Sequence, residues 1–258
     1  MQTRWTGCGT ALVTPFTRTG ALDETAIKKL VRRQIEGGAH FLVPCGTTGE
    51  SPSLSNAEKL RVVELVVDEA NGAIPVLAGA GSYSTSSALE LIDDMDTVGA
   101  SGILSVTPYY NKPTQDGLFQ HFKFIPETVD IPQILYNVPG RTACDMLPET
   151  IIQLASVDNI IGVKEATADL TRVRRIREGT SSDFLLLSGD DETTKDFILS
   201  GGDGVISVTA NVAPEKMSKM CVSALEGNVE EAGKIDKTLV GLHTVSYTHL
   251  TLPTILLV

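Results

Sequence analysis

The chain has 258 residues, 42% hydrophobic and 21% charged, ordinary values for a globular protein with a substantial core. A formal net charge of −11 argues against nucleic acid or an anionic membrane as partner, but leaves room for a small anionic ligand at a local positive site. Cys8, Cys45, Cys144 and Cys221 lie far apart with no CxxC spacing, and His40, His121, His243 and His249 are scattered, so neither disulfides nor a metal centre is expected.

From the N-terminus, MQTRWTGCGTALVTPF lacks the basic-then-apolar pattern of a signal peptide. No segment approaches the roughly 18 continuous apolar residues of a membrane span, so a cytoplasmic protein is expected. The first apolar run, CGTALVT (8–14), reads as a strand, followed by a helix over 23–38 with Ile27, Leu30, Val31 and Ile35 on one face and a glycine pair at its end. HFLVP (40–44) then precedes a helix over 55–72, opened by a capping box of Ser55 and Glu58. The alternation continues with strands at 74–79, 102–107, 132–137, 159–164, 184–189 and 204–209. Between and after them lie helix-period segments near 84–98, 114–128, 148–155, 169–178, 192–200 and 214–226.

The strand segments are continuously apolar rather than alternating, which suits parallel strands covered on both faces. Eight strand–helix units in a chain of this length predict a (β/α)8 TIM barrel. A doubly wound sheet fits less well, because no GxGxxG follows the first strand.

In such a barrel, chemistry gathers at the C-terminal strand ends. Those positions hold Gly46-Thr47-Thr48-Gly49-Glu50, Thr107-Pro108-Tyr109-Tyr110-Asn111, Tyr136 through Arg141, Lys164, and Gly189-Asp190-Asp191. GTTGE alone is a common turn, Tyr136 could be packing, and Arg141 could be a surface charge. Tyr136 and Lys164, however, end adjacent strands 28 residues apart. Burial disfavours the charged form of an amine, so a lysine inside a barrel mouth can attack a ketone and form a Schiff base. A phenol beside it can shuttle the protons, with Thr47 and Tyr110 extending the relay. The Thr47 and Thr48 amides and hydroxyls suit the carboxylate of a 2-oxo acid. No metal or cofactor is required. A phosphate-binding barrel isomerase is a weaker alternative, because no glycine-rich anion loop follows the last strands.

GTTGES (46–51), TPYYNKP (107–113), ILYNVPGRT (134–142), GVKEATADL (162–170), LLSGDD (186–191) and GVISVTANV (204–212) together resemble the 4-hydroxy-tetrahydrodipicolinate (dihydrodipicolinate) synthase family. The likeness runs from about residue 5 to about 243. It implies a class I aldolase-type lyase of lysine and diaminopimelate biosynthesis that condenses pyruvate with aspartate 4-semialdehyde. On this resemblance, Lys164 is the Schiff-base lysine, Tyr136 its proton donor and acceptor, and Thr47 and Tyr110 the rest of the relay. Tyr110 is expected to reach across a tight dimer interface, so a homo-oligomer, a dimer of dimers, is implied. Arg141 matches the arginine that binds the semialdehyde carboxylate. Thr48 and Ile206 match pyruvate-contacting positions, and Gly189 lines the pocket. N-acetylneuraminate lyase and 2-keto-3-deoxy sugar acid aldolases share the lysine, the tyrosine and a GTTGE-like loop; the Tyr109-Tyr110 pair and Arg141 favour the synthase.

The sequence departs from the family pattern in two places. Ser51 and Tyr109 match the lysine feedback site, but Asn56 and Lys59 replace histidines, Tyr83 replaces an asparagine and Ser87 replaces the acid that holds the lysine amine. Weak or absent lysine inhibition is therefore expected. The end, TVSYTHLTLPTILLV, is β-branched, nearly uncharged and unlike the family's helical continuation. The expected organisation is a catalytic barrel over 1–225, the start of a C-terminal helical extension over 226–243, and an aberrant tail over 244–258 with the look of a frameshift or foreign junction. An assembly-defective non-enzyme is the alternative that this tail keeps open.

Overall fold

The computed structural model describes residues 5–246. Eight parallel strands are present: β1 (Gly7–Ala11), β2 (Phe41–Val43), β3 (Leu77–Gly79), β4 (Gly102–Val106), β5 (Gln133–Asn137), β6 (Ile160–Glu165), β7 (Leu185–Ser188) and β8 (Gly204–Ser207). Their order is β2-β1-β8-β7-β6-β5-β4-β3. The two ends meet through a parallel bridge between Leu42 and Val76, with backbone bonds Leu42 N to Pro75 O and Gly79 N to Pro44 O, both 3.0 Å. The expected TIM barrel is formed.

The helices follow their strands: α1 (Glu24–Glu36), α2 (Asn56–Ala70), α3 (Thr85–Thr97), α4 (Gln115–Phe124), α5 (Pro139–Thr142), α6 (Pro148–Leu154), α7 (Leu170–Gly179), α8 (Thr194–Leu199), α9 (Pro214–Leu225) and α10 (Val229–Val245). The amphipathic pattern explains how they seat. α1 buries Ile27 and Val31, while Asp23 caps its N-terminus by accepting from Ala26 N. The capping box of α2 is formed in both directions, Ser55 with Glu58. The single-turn α5 was not legible as a helix, because Pro139-Gly140 reads as a turn. Thr244 and Val245, assigned above to the aberrant tail, continue α10; residues 247–258 of that tail lie outside the described residues.

Apolar side chains fill two layers. The larger lies between strands and helices and includes Leu42, Val63, Ile92, Phe122, Leu135, Val163 and Leu186. The second fills the barrel itself, with Trp5, Phe41, Leu77, Leu104, Ile134, Leu187 and Ile206. Trp5 and Phe41 pack edge to face at 5.5 Å and occupy its N-terminal end. Gly9 makes room for them, since a Cβ there would lie 2.1 Å from the Phe41 ring. A third cluster docks α9 and α10 onto β1 and β8 through Cys8, Val205, Met217, Met220 and Leu239.

Most buried polar side chains are paired. His121 on α4 is 7% exposed; its Nδ1 lies 2.8 Å from the Thr85 hydroxyl and its Nε2 is buried without a partner. Burial pulls its pKa down to about 4 from 6.5. The folded state therefore takes up this proton later than the unfolded chain does, and its stability declines as pH falls from about 6.5 towards 4. This one group contributes roughly 3 kcal/mol at most. His121→Gln, which can keep the bond to Thr85, is expected to flatten the fall in urea midpoint over that pH window relative to the parent chain; equal slopes would remove His121 as a cause.

Candidate active site

β5 and β6 pair with Tyr136 directly opposite Lys164. That alignment depends on an irregularity lower down. Gln133 pairs with Ile160, but Ile134 pairs with Gly162, so Ile161 is an extra residue on β6. Without that shift Tyr136 would stand opposite Val163. With it, the phenol and the amine share the inner face: Lys164 Nζ sits 4.1 Å from the centroid of the Tyr136 ring. Both side chains are 6% exposed. The lysine that ends an apolar run is thus buried inside the barrel mouth, not at a surface strand end.

Glu165 turns to the other face, as alternation along a strand requires. Its carboxylate accepts from Asn137 Nδ2 (3.2 Å), Thr167 N (3.1 Å) and Arg172 Nε (3.2 Å). Burial raises its pKa, opposed by the Arg172 guanidinium and these hydrogen bonds.

A cavity of about 320 Å³ opens at this end of the barrel, lined by Thr47, Tyr136, Val138, Arg141 and Thr142 among others. Thr47 and Thr48 lie in the loop after β2, a tight turn in which Gly49 N and Glu50 N return to the Gly46 and Thr47 carbonyls. Thr14 pins it by donating its hydroxyl proton to Gly49 O at 2.7 Å. Thr48 is buried and Thr47 half-buried. Arg141, carried by α5, is exposed at the mouth and makes no ion pair among the described residues. Gly189 follows β7 and packs against the lysine stem: a Cβ there would lie 3.0 Å from Lys164 Cε and 2.5 Å from Ala166 Cβ. Ile206 is buried in the same inner cluster as Tyr136.

Tyr110 stands apart. Its side chain is 90% exposed, its backbone has φ 71°, and it does not line the cavity of its own chain. Of the residues compared with a lysine-binding site, Ser51, Lys59 and Tyr109 line the cavity too. Asn56 Oδ1 lies 3.5 Å from Lys59 Nζ, and Tyr83 packs edge to face on Tyr109 at 5.5 Å. Ser87 is exposed in the first turn of α3. Among the described residues no aspartate or glutamate lines the cavity. Among the described residues no group of three or more His, Cys, Asp or Glu side chains is placed to hold a metal ion. No helix among them is long and apolar enough to cross a membrane.

The residues that sequence reasoning missed are Asn137, Asp145 and Arg172. Arg172 reads as a surface charge on a helix, yet its side chain is 12% exposed and paired with both Asp145 and Glu165.

Comparison with known proteins bears on the family and the fold. The sequence profile of the Dihydrodipicolinate synthetase family matches residues 4–256. The 4-hydroxy-tetrahydrodipicolinate synthase of Pseudomonas putida (strain W619) is 55% identical over 237 residues, 92% of this chain and 81% of that one. Its counterpart in Stutzerimonas stutzeri (strain A1501) is 54% identical over the same shares. Among solved structures, the chloride-inhibited dihydrodipicolinate synthase of Acinetobacter baumannii complexed with pyruvate superposes with a TM-score of 0.93 at 42% identity, covering 95% of this chain and 84% of that one. The Thermotoga maritima dihydrodipicolinate synthase gives 0.91 at 43% identity, covering 94% and 83%. With a matching profile over nearly its whole length and an eight-stranded barrel in common, the chain belongs to the dihydrodipicolinate synthetase family.

Proposed function

We propose that the amine of Lys164 and the phenol of Tyr136 together carry out the reaction of a 4-hydroxy-tetrahydrodipicolinate synthase. The observation that carries this reading is their pairing across β5 and β6 on the inner face of the barrel mouth. The enzyme is a lyase of lysine and diaminopimelate biosynthesis that condenses pyruvate with L-aspartate 4-semialdehyde.

The free amine of Lys164 adds to the ketone carbon of pyruvate, and the resulting carbinolamine loses water to give an imine. Tyr136 donates a proton to the departing hydroxyl and takes one back, with Thr47 as the next hydroxyl in line. The protonated imine draws electrons from the neighbouring methyl, which loses a proton and becomes an enamine carbon. That carbon attacks the aldehyde of the semialdehyde, forming the new carbon–carbon bond and leaving a hydroxyl. The amino group of the second substrate then displaces Lys164 from the imine carbon, closing the ring and freeing the lysine. One water is released overall, and no electrons are transferred to an outside acceptor.

Thr47, Tyr136 and Arg141 line the cavity, whereas Lys164, Thr48, Gly189 and Ile206 lie outside its lining. The loop holding Thr47 and Thr48 offers amides and hydroxyls to the pyruvate carboxylate. Arg141, exposed at the mouth without an ion pair of its own, offers a bidentate fork to the carboxylate of the semialdehyde. Gly189 leaves space for the lysine stem, and Ile206 supplies an apolar floor. Tyr110, too exposed to serve its own site, completes the relay of a neighbouring protomer in a homo-oligomer, a dimer of dimers. Four reduced cysteines, all buried, and the biosynthetic chemistry support a cytoplasmic location.

Incubating the protein with pyruvate and reducing with borohydride is expected to add the mass of one reduced pyruvate to Lys164; absence of any adduct would sink the reading. Tyr136→Phe is expected to slow turnover with both substrates by about a hundredfold or more in a reductase-coupled assay, whereas a near-normal rate would take the phenol out of the mechanism. The cationic Lys59 and the acid-free cavity wall repel the ammonium of free lysine. L-lysine in the sub-millimolar range is therefore expected to leave the purified enzyme more than half active; half-inhibition in that range would refute a degenerate feedback site.

A further inference from the structure

We infer that a polar cluster just outside the barrel wall, with Asn137 and Glu165 buried, Arg172 largely so and Asp145 partly exposed, is the positioning unit that holds Tyr136 and Lys164 in reacting register. The inference rests on the reading above, in which those two side chains do the chemistry. Asn137 and Glu165 are each the next residue along their strand after Tyr136 and Lys164, and they form the next registered pair of the ladder. Because faces alternate, the reacting pair points inward and this pair outward.

The cluster ties together four pieces of chain. Asn137 Nδ2 donates to Glu165 across the strands at 3.2 Å and to Asp145 Oδ1 at 2.9 Å, while its Oδ1 accepts from Met146 N at 2.9 Å. Arg172, from the first turn of α7, forks onto both Asp145 oxygens at 3.1 Å, reaches Glu165 Oε2 at 3.2 Å and donates to Met146 O at 2.6 Å. Thr167 N closes the remaining Glu165 oxygen at 3.1 Å. The tips of β5 and β6, the segment after α5 and the start of α7 are thereby pinned at one point.

Two considerations separate positioning from mere stability. A buried ionic cluster is often no more stabilising than apolar packing of the same volume, so its value lies in fixing one geometry. The strand tips need that fixing, because a displacement of about 1 Å between reacting groups costs on the order of a hundredfold in rate. At their outer ends β5 and β6 have little ladder left, the last bonds being Ala166 N to Asn137 O at 3.0 Å and Gly189 N to Glu165 O at 2.8 Å.

The test is a double-mutant cycle on the full chain. Glu165→Gln removes the charge at nearly constant shape, and Arg172→Lys keeps charge but removes the fork. Each is expected to fold with a thermal midpoint near the parent's, to lower kcat about tenfold or more with KM for pyruvate within about threefold, and to slow borohydride-trapped imine formation on Lys164 by a similar factor. Combined with Tyr136→Phe, each is expected to add little further loss, because the phenol it positions is already gone. Unchanged kcat in both variants, or losses that multiply fully with Tyr136→Phe, would overturn the inference. So would a loss that vanishes once activity is expressed per folded molecule. Should one variant fail to fold, the other decides. An adduct on Lys164 of the parent chain separates failure of this inference from failure of the proposed reaction.

Discussion

A single extra residue in β6 decides which side chains can meet at the barrel mouth. Successive residues of a strand face opposite ways, so a slip of one position would exchange the whole inner set for the outer one. Ile161 supplies that position: below it Gln133 stands opposite Ile160, above it Tyr136 stands opposite Lys164. The inner face then carries an aromatic ring and an amine in contact, and the outer face carries Asn137 and Glu165 in contact. The proposed chemistry and its proposed support are two sides of the same alignment.

The surrounding barrel makes the alignment durable. Gly189, just after β7, leaves the lysine stem a channel that any side chain would obstruct. Asp191 extends the pinning to β8 by accepting from Val208 N and Thr209 N at 3.0 and 2.8 Å. Thr209 in turn meets His243 Nδ1 at 2.9 Å, which connects the loop beyond β8 to α10. Side-chain hydrogen bonds thus brace the ends of β7 and β8 as well as those of β5 and β6. This is the arrangement that precise covalent chemistry favours.

Much of the fold was legible because its strands are buried on both faces and so read as unbroken apolar runs, while helices such as α1 and α2 announced themselves by caps and a one-sided apolar stripe. The proposed reacting pair drew notice through a coincidence, a tyrosine and a lysine that end adjacent strands 28 residues apart. Other features were hidden by the physics of reading a chain locally. Arg172 lies 27 residues from Asp145 and sits in an arginine-rich helix, where a solvated face is the natural reading. The extra residue in β6 leaves no compositional mark, since Ile161 is as apolar as its neighbours. The short α5 is set by the exit geometry of β5 more than by any propensity of Pro-Gly-Arg-Thr. Tyr110 follows β4, where the sequence reading put it, but its exposure away from the cavity of its own chain is not visible in the sequence.

The indole and phenyl rings wedged into the far end of the barrel also have a bearing on traffic. The cavity beside Arg141 opens at the opposite end from these two rings. On the proposed reading, a keto acid bonded to the buried Lys164 lies deeper than anything held at the exposed Arg141 on the rim.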